Sequence, residues 1–157
     1  MASHNAETRL RELGIELPSP PAALTARIMM AKLAGNLLYV SGQLPSWNGE
    51  LRYVGKVGRE FTLADAQAAA RLSALNVIAQ ARAAVGGDLG NIVEITYLRG
   101  YVNVTEDFIE IAQSVNGASD LMIDIFEAAG THARTAVGVA MMPYNVAIEV
   151  EAQFLLK

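Results

Sequence analysis

His132-Ala133-Arg134-Thr135-Ala136-Val137-Gly138-Val139-Ala140-Met141-Met142-Pro143-Tyr144-Asn145-Val146-Ala147-Ile148-Glu149-Val150-Glu151-Ala152 is the stretch on which the fold turns. It reads as two β-strands joined by a Pro-containing turn, a hairpin. Side chains alternate along a strand, so Glu149 and Glu151 share one face of the second strand. Val146, Ile148, Val150, Ala152 and Phe154 share the other. The apolar set requires a core. Two acids in the middle of a sheet-forming segment are costly unless something answers their charge. Arg134 stands at the mouth of the first strand. With the turn centred near Pro143 and Tyr144, it pairs near Gln153, on the order of 13 Å from Glu149 along the ladder. Arg134, Ala136, Gly138 and Ala140 fall on one parity, and all but the arginine are small. That face either leaves space for a ligand beside the guanidinium or takes a closely packed helix.

Working outward, Ala118 to Ala129 carries Leu121, Met122, Ile125, Phe126 and Ala129 at helical spacing, with Asp120, Asp124 and Glu127 turned away and Gly130 as the stop. Ile92 to Val102 is a strand, with Val93, Ile95, Tyr97 and Tyr101 on one parity. Thr105 to Phe108 opens a short helical or irregular piece. A long helix spans roughly Leu63 to Val85. The Thr62 hydroxyl and the Asp65 carboxylate form a capping box at its start, and Gly86-Gly87 ends it. Its apolar stripe is Leu72, Leu75, Ile78 and Val85, widened by alanines. Ser46 to Glu60 reads as a loop in which the lone Trp47 packs rather than lines a cleft. Ala26 to Ala34 and Leu37 to Ser41 flank the turn dipeptide Gly35-Asn36 and form a hairpin. Residues 1–25 are a partly ordered leader with a helix from Glu7 to Leu17, broken by Ser19-Pro20-Pro21.

The order β-β-α-β-α-β-β predicts one α+β domain over 1–157, a mixed sheet with two helices packed on one face. The chain is 52% hydrophobic, 18% charged and has a mean hydropathy of +0.27. At 157 residues that is more apolar surface than one small subunit hides, which predicts subunit contacts. No apolar run is long enough to cross a membrane, and the first residues carry no signal-peptide core, so a cytoplasmic address is expected. There is no cysteine, which excludes disulfides and thiolate chemistry. The net charge of −4 argues against a general nucleic-acid surface. His4 and His132 stand apart from acids at ligand spacing, so no metal site is expected; His132, two residues before Arg134, reads as an exposed loop residue, with tuning of the pocket as a proton carrier the lesser alternative. Gly86-Gly87-Asp88-Leu89-Gly90 follows a helix and is a stop, not a phosphate cradle. No Gly-x-Ser-x-Gly elbow occurs.

Three stretches resemble the RidA/YjgF family, the reactive-intermediate deaminases also labelled endoribonuclease L-PSP. They are Gly35 through Tyr39-Val40-Ser41-Gly42-Gln43, Asn116-Gly117-Ala118-Ser119-Asp120-Leu121, and Ala133-Arg134-Thr135-Ala136-Val137 through Pro143 to Glu149-Val150-Glu151-Ala152. The middle run is similar to a divergent branch rather than to RidA itself. The resemblance implies a chorismate-mutase-like fold and a homotrimer with pockets in the clefts between subunits. It implies hydrolysis, without a cofactor, of small 2-imino acids to 2-keto acids and ammonia. Arg134 matches the arginine that binds the substrate carboxylate, a task suited to a planar, permanently charged fork of donors. Glu149 matches the glutamate that positions the attacking water. Ser41 and Gly42 match the strand end bordering the pocket, Asn116 a polar residue reaching it, and Thr135 the serine beside the arginine. Two positions depart from the deaminase pattern: Ala136 stands for a cysteine and Ile28 for a pocket tyrosine.

Three functions follow as expectations. The first is an imine or enamine hydrolase, with Arg134 and Glu149 catalytic and Ser41, Gly42, Asn116 and Thr135 binding substrate. The second is a trimer that captures small carboxylates without turnover, and a distant third is an endoribonuclease. Glu151 is expected to be structural, in a subunit-interface ion pair. Whether Arg134 and Glu149 meet within one subunit or across two stays open at this level.

Overall fold

Local chemistry sets the longest element. Thr62 Oγ1 accepts from the Asp65 backbone N–H at 3.2 Å and Asp65 Oδ2 accepts from the Thr62 N–H at 2.9 Å, so the capping box closes in both directions. The helix it opens runs Leu63–Ala84, and Gly86 and Gly87 leave it at φ of 78° and 90°. The structure, a computed structural model, describes residues 5–23 and 27–157. In chain order the elements are α1 (Ala6–Glu12), β1 (Ala31–Ala34), β2 (Leu37–Gln43), β3 (Ser46–Trp47), β4 (Glu50–Leu51), α2 (Leu63–Ala84), β5 (Ile92–Asn103), α3 (Ile111–Ser114), α4 (Asn116–Phe126), β6 (Ala133–Val139) and β7 (Ile148–Leu156).

The main sheet has the order β1-β2-β7-β5-β6, antiparallel throughout except for the parallel pair β5·β6. This overturns the C-terminal hairpin: β6 and β7 flank β5 on opposite sides and do not pair with each other. The reason is topological. β5, the α3–α4 connection and β6 form a crossover unit, which delivers β6 parallel to β5. The chain must then step across the end of β5 to reach β7's slot. Residues 140–147 do this through a turn at Pro143–Asn145, with Tyr144 and Asn145 at φ of 55° and 56°.

The N-terminal hairpin forms as expected, Ala34 pairing with Leu37 across Gly35-Asn36, with Gly35 at φ of 62°. Its first strand is shorter than predicted: it begins at Ala31, and the predicted start at Ala26 lies outside the described residues. In the leader, α1 stops at Glu12 rather than Leu17 because Gly14 turns the backbone at φ of 63°. Its Ala6 and Leu10 are buried, and Glu7 pairs with Arg82 at 2.9 Å. Residues 1–4, with His4, and 24–25 lie outside the described residues. The predicted Ser46–Glu60 loop contains a small hairpin, β3–β4, around Asn48-Gly49, and Trp47 packs on the core.

Both helices cover one face. Ala69, Ala70, Ala74 and Ile78 of α2 and Leu121, Met122, Ile125 and Phe126 of α4 are buried against Ile148, Val150, Ala152 and Phe154 of β7 and Leu98 and Val102 of β5. The small face of β6 is helix-packed at its far end: a Cβ on Gly138 would lie 2.8 Å from Ile111 Cδ1. One parity reading fails. β5 shifts register between Ile95 and Tyr97, so Ile95 stays in the core while Tyr97, Arg99 and Tyr101 turn to the opposite face. There they join Tyr39, Thr135, Glu149, Glu151 and Gln153. Among the described residues no helix covers that face.

Candidate functional site

Two candidate half-sites occupy opposite sides of the sheet. On the helix side, at the edge strand β6, Arg134 Nη1 donates to Asn116 Oδ1 at 2.9 Å and to Ser119 Oγ at 3.1 Å, and Nη2 donates to the Ala112 carbonyl at 3.2 Å. Helices α3 and α4 supply all three acceptors, and none is charged. Among the described residues Arg134 has no carboxylate partner. Among the described residues Nε has no acceptor and Nη2, with two hydrogens, has one, so donors remain on the Nε–Nη2 edge of the guanidinium. That edge can take a carboxylate with two parallel bonds. Behind Ser119, His132 Nε2 lies 3.0 Å from Oγ, and His132 Nδ1 lies 2.6 Å from the Gly130 carbonyl. The expectation of an exposed loop histidine is thus corrected: the ring is half-buried and bonded at both nitrogens. Burial, and then the Arg134 charge, hold it below the ordinary histidine range, against the pull of the Gly130 carbonyl.

On the other side, Glu149 lies in a cleft of about 250 Å³ with Gly42, Gln43, Leu44, Ile28, Met30, Pro143 and Tyr144. Gly42 is required there. A Cβ at that position would lie 1.7 Å from Glu149 Oε1, so the carboxylate occupies the space any other side chain would take. Burial, and secondarily the Glu151 charge two residues along the same face, raise the Glu149 pKa above the usual carboxylate range. Glu151 itself is ion-paired at 2.5 Å with Arg99 of its own chain, directly across on β5.

The predicted residues therefore separate. Arg134 and Asn116 come together, and so do Glu149 and Gly42. Thr135 points away from Arg134 to the open face, where its hydroxyl bonds the Tyr97 hydroxyl. Ser41 donates to the Met29 carbonyl at 2.8 Å and lines a second, smaller hollow with Tyr97 and Glu151. Arg134 is level with Leu98 and Ala152, and Glu149 lies three residues further along β7. That is about 10 Å across and about 10 Å along, with the side chains on opposite faces. One small molecule cannot touch both within one chain. Ser119 is not singled out by sequence reasoning, and His132 is there only the lesser alternative of a pocket tuner, yet both join the Arg134 cluster. The available signal was Ser119 three residues after Asn116, on the same helix face. Ile28, noted for its missing hydroxyl, does line the Glu149 cleft.

Among the described residues no group of three or more His, Asp or Glu side chains is placed to hold a metal ion, and no helix is long and apolar enough to cross a membrane.

A mixed sheet with its helices on one face, the other face open, defines the chorismate-mutase-like class of α+β proteins. A family model described as "YjgF/chorismate mutase-like, putative endoribonuclease" matches residues 7–154, and the chain belongs to this RidA/YjgF family. It is 40% identical over 153 residues to Protein TCP17 of Trypanosoma cruzi, covering 97% of this chain and 94% of that one. It is 41% identical to Atu1372 of Agrobacterium tumefaciens, a protein of unknown function, with a TM-score of 0.89 over 98% of this chain and 94% of the other. A more distant structure, Escherichia coli TdcF with bound serine, is 26% identical, with a TM-score of 0.61 over 90% of this chain and 94% of that one.

Proposed function

We propose that the protein is a cofactor-free hydrolase of small 2-imino acids, working as a homotrimer whose pocket joins Arg134 of one subunit to Glu149 of the next. The observation that carries this reading is the pair of unfinished half-sites. One is a guanidinium with a two-donor edge and no carboxylate partner; the other is a partly desolvated carboxylate over Gly42. Each supplies what the other lacks, and geometry keeps them apart within a chain. TdcF, a family relative, holds serine, which carries a carboxylate beside a nitrogen as an imino acid does.

In this reading Arg134 grips the carboxylate and fixes the imine carbon near Glu149. Glu149 takes a proton from water as its oxygen bonds that carbon. With the imine protonated, its C=N π pair passes to nitrogen and gives a neutral carbinolamine. Glu149 then hands its proton to that nitrogen, the C–N bond breaks to release ammonia, and the hydroxyl proton returns to Glu149 as the C=O of the 2-keto acid forms. An imine is already electrophilic, so orientation and one base suffice. The test is keto-acid release from imino acids made in situ by an amino-acid oxidase, in competition with semicarbazide. Acceleration by the wild type and its loss in Arg134→Ala are expected. No acceleration, or an undiminished rate in the variant, would refute it.

A second reading has one observation in its favour: Ile28 lines the Glu149 cleft with no hydroxyl to offer. A trimer that only captures keto acids would bind them saturably through Arg134 and turn over no imine.

A further inference from the structure

We propose that Ser119 and His132 are positioning residues for Arg134, forming a one-way hydrogen-bond relay that holds the guanidinium's free edge toward the ligand only while His132 is neutral. The proposal rests on the reading of Arg134 as a carboxylate clamp. The direction of each bond follows from the partners. The Gly130 carbonyl can only accept, so at 2.6 Å His132 Nδ1 must carry a proton toward it. A neutral ring then has a bare Nε2, which accepts the Ser119 hydroxyl proton at 3.0 Å. With its proton so placed, Ser119 Oγ turns lone pairs to Arg134 Nη1 at 3.1 Å. Every donation runs from Arg134 through Ser119 and His132 to Gly130, and chains of this kind polarise cooperatively.

Protonating the ring reverses the middle bond. Nε2 becomes a donor facing Ser119 Oγ, the hydroxyl proton loses its acceptor, and two cations share one oxygen. Among the described residues no carboxylate pairs with the ring. β6 brings Arg134, α4 faces the ring with neutral Ser119, and Arg134 is the charged group that bears on it. Burial and that charge disfavour the protonated ring, in agreement with the relay.

The test uses pyruvate as probe and the full chain, with binding measured by calorimetry from pH 5 to 8 in a Glu149→Gln background, which removes the titration of the other half-site. Affinity should fall about tenfold as pH drops through the ring's midpoint, which ¹⁵N spectra of His132 locate independently. His132→Gln, whose amide oxygen can still accept from Ser119, should bind tightly with a flat profile. Ser119→Ala should bind about tenfold more weakly and should raise the ring's midpoint, because the neutral form loses its donor. A pH slope that survives His132→Gln, or Ser119→Ala binding as tightly as the parent, would overturn the relay. If no variant binds pyruvate at any pH, the clamp reading fails instead. The ring then still decides the relay: an Nδ1–H tautomer whose midpoint rises in Ser119→Ala supports it, and an Nε2–H tautomer or an unmoved midpoint overturns it.

Discussion

The Arg134 and Glu149 regions are prepared in opposite ways. Arg134 is braced by three neutral acceptors on α3 and α4, so its charge is directed but not cancelled. Glu149 is braced by sterics: it fills the space over Gly42 and is shifted toward its protonated form by burial. Its neighbour Glu151, on the same face two residues away, is neutralised by Arg99. The sheet thus disposes of one acid and spares the other. A cation held firm and a carboxylate held basic are the two needs of a reaction that orients an anion and deprotonates water. Under the proposed function, their place on opposite faces of one sheet requires a second copy of the chain to complete the site.

The largest effect tests that division directly. Glu149→Gln should lower kcat by about 10²–10⁴-fold with KM nearly unchanged. Arg134→Ala should cost about a hundredfold or more, chiefly through KM. Co-expressing the two inactive variants should restore about a quarter of wild-type activity, because a random mixture pairs one intact Arg134 with one intact Glu149 at that share of head-to-tail interfaces. Neither chain alone carries both groups, so a site built within one subunit would regain nothing in a steady-state assay of the mixture.

Gly42→Ala comes next. Its Cβ cannot coexist with Glu149 Oε1, so the carboxylate must swing away. Keto-acid release should fall by roughly tenfold or more. Pyruvate binding through Arg134 should change little, since the alanine disturbs only one half-site. Equal losses in binding and turnover would mean that the halves are not separable.

The pH dependence of stability separates the halves again. Glu149 binds its proton more tightly in the folded chain than in the unfolded one. Its contribution is therefore fully present below the ordinary carboxylate pKa and is lost as pH rises through the raised one. Glu149→Gln should raise Tm at pH 7, and the gain should close as pH falls below the ordinary carboxylate range. Thermal scans at matched ionic strength would show it, and a gain that persists at low pH would contradict the assignment to burial.

What could be read in the sequence follows the range of each interaction. The Thr62–Asp65 cap, the Gly35 turn and the buried face of α4 depend on residues three or four apart, and all form as expected. The partner of a strand is not a local property. Residues 132–152 carry two strong strands, but β5 between them is supplied from thirty residues upstream and is invisible in that window. The bulge at Ile95/Tyr97 is equally silent, and it delivers Arg99 to Glu151. For the site, the resemblance selected Arg134, Asn116, Gly42 and Glu149. Only the fold could show that they fall into two separate clusters. A place in a loop is all the sequence shows of His132, whereas its contact with Ser119 comes from α4 folding back over it.

The smallest effect belongs to a residue on neither side of the division. Thr62 caps the helix beneath the sheet, far along the chain from both charged groups. Thr62→Ala removes an acceptor for the Asp65 N–H and should cost about 1 kcal/mol, or roughly 2–4 °C in Tm for a chain of this size. Turnover below the transition should be unchanged. If it falls instead, the positions of Arg134 and Glu149 depend on the stability of the helical layer as a whole, and kinetic losses in the site variants would no longer report on two independently braced groups.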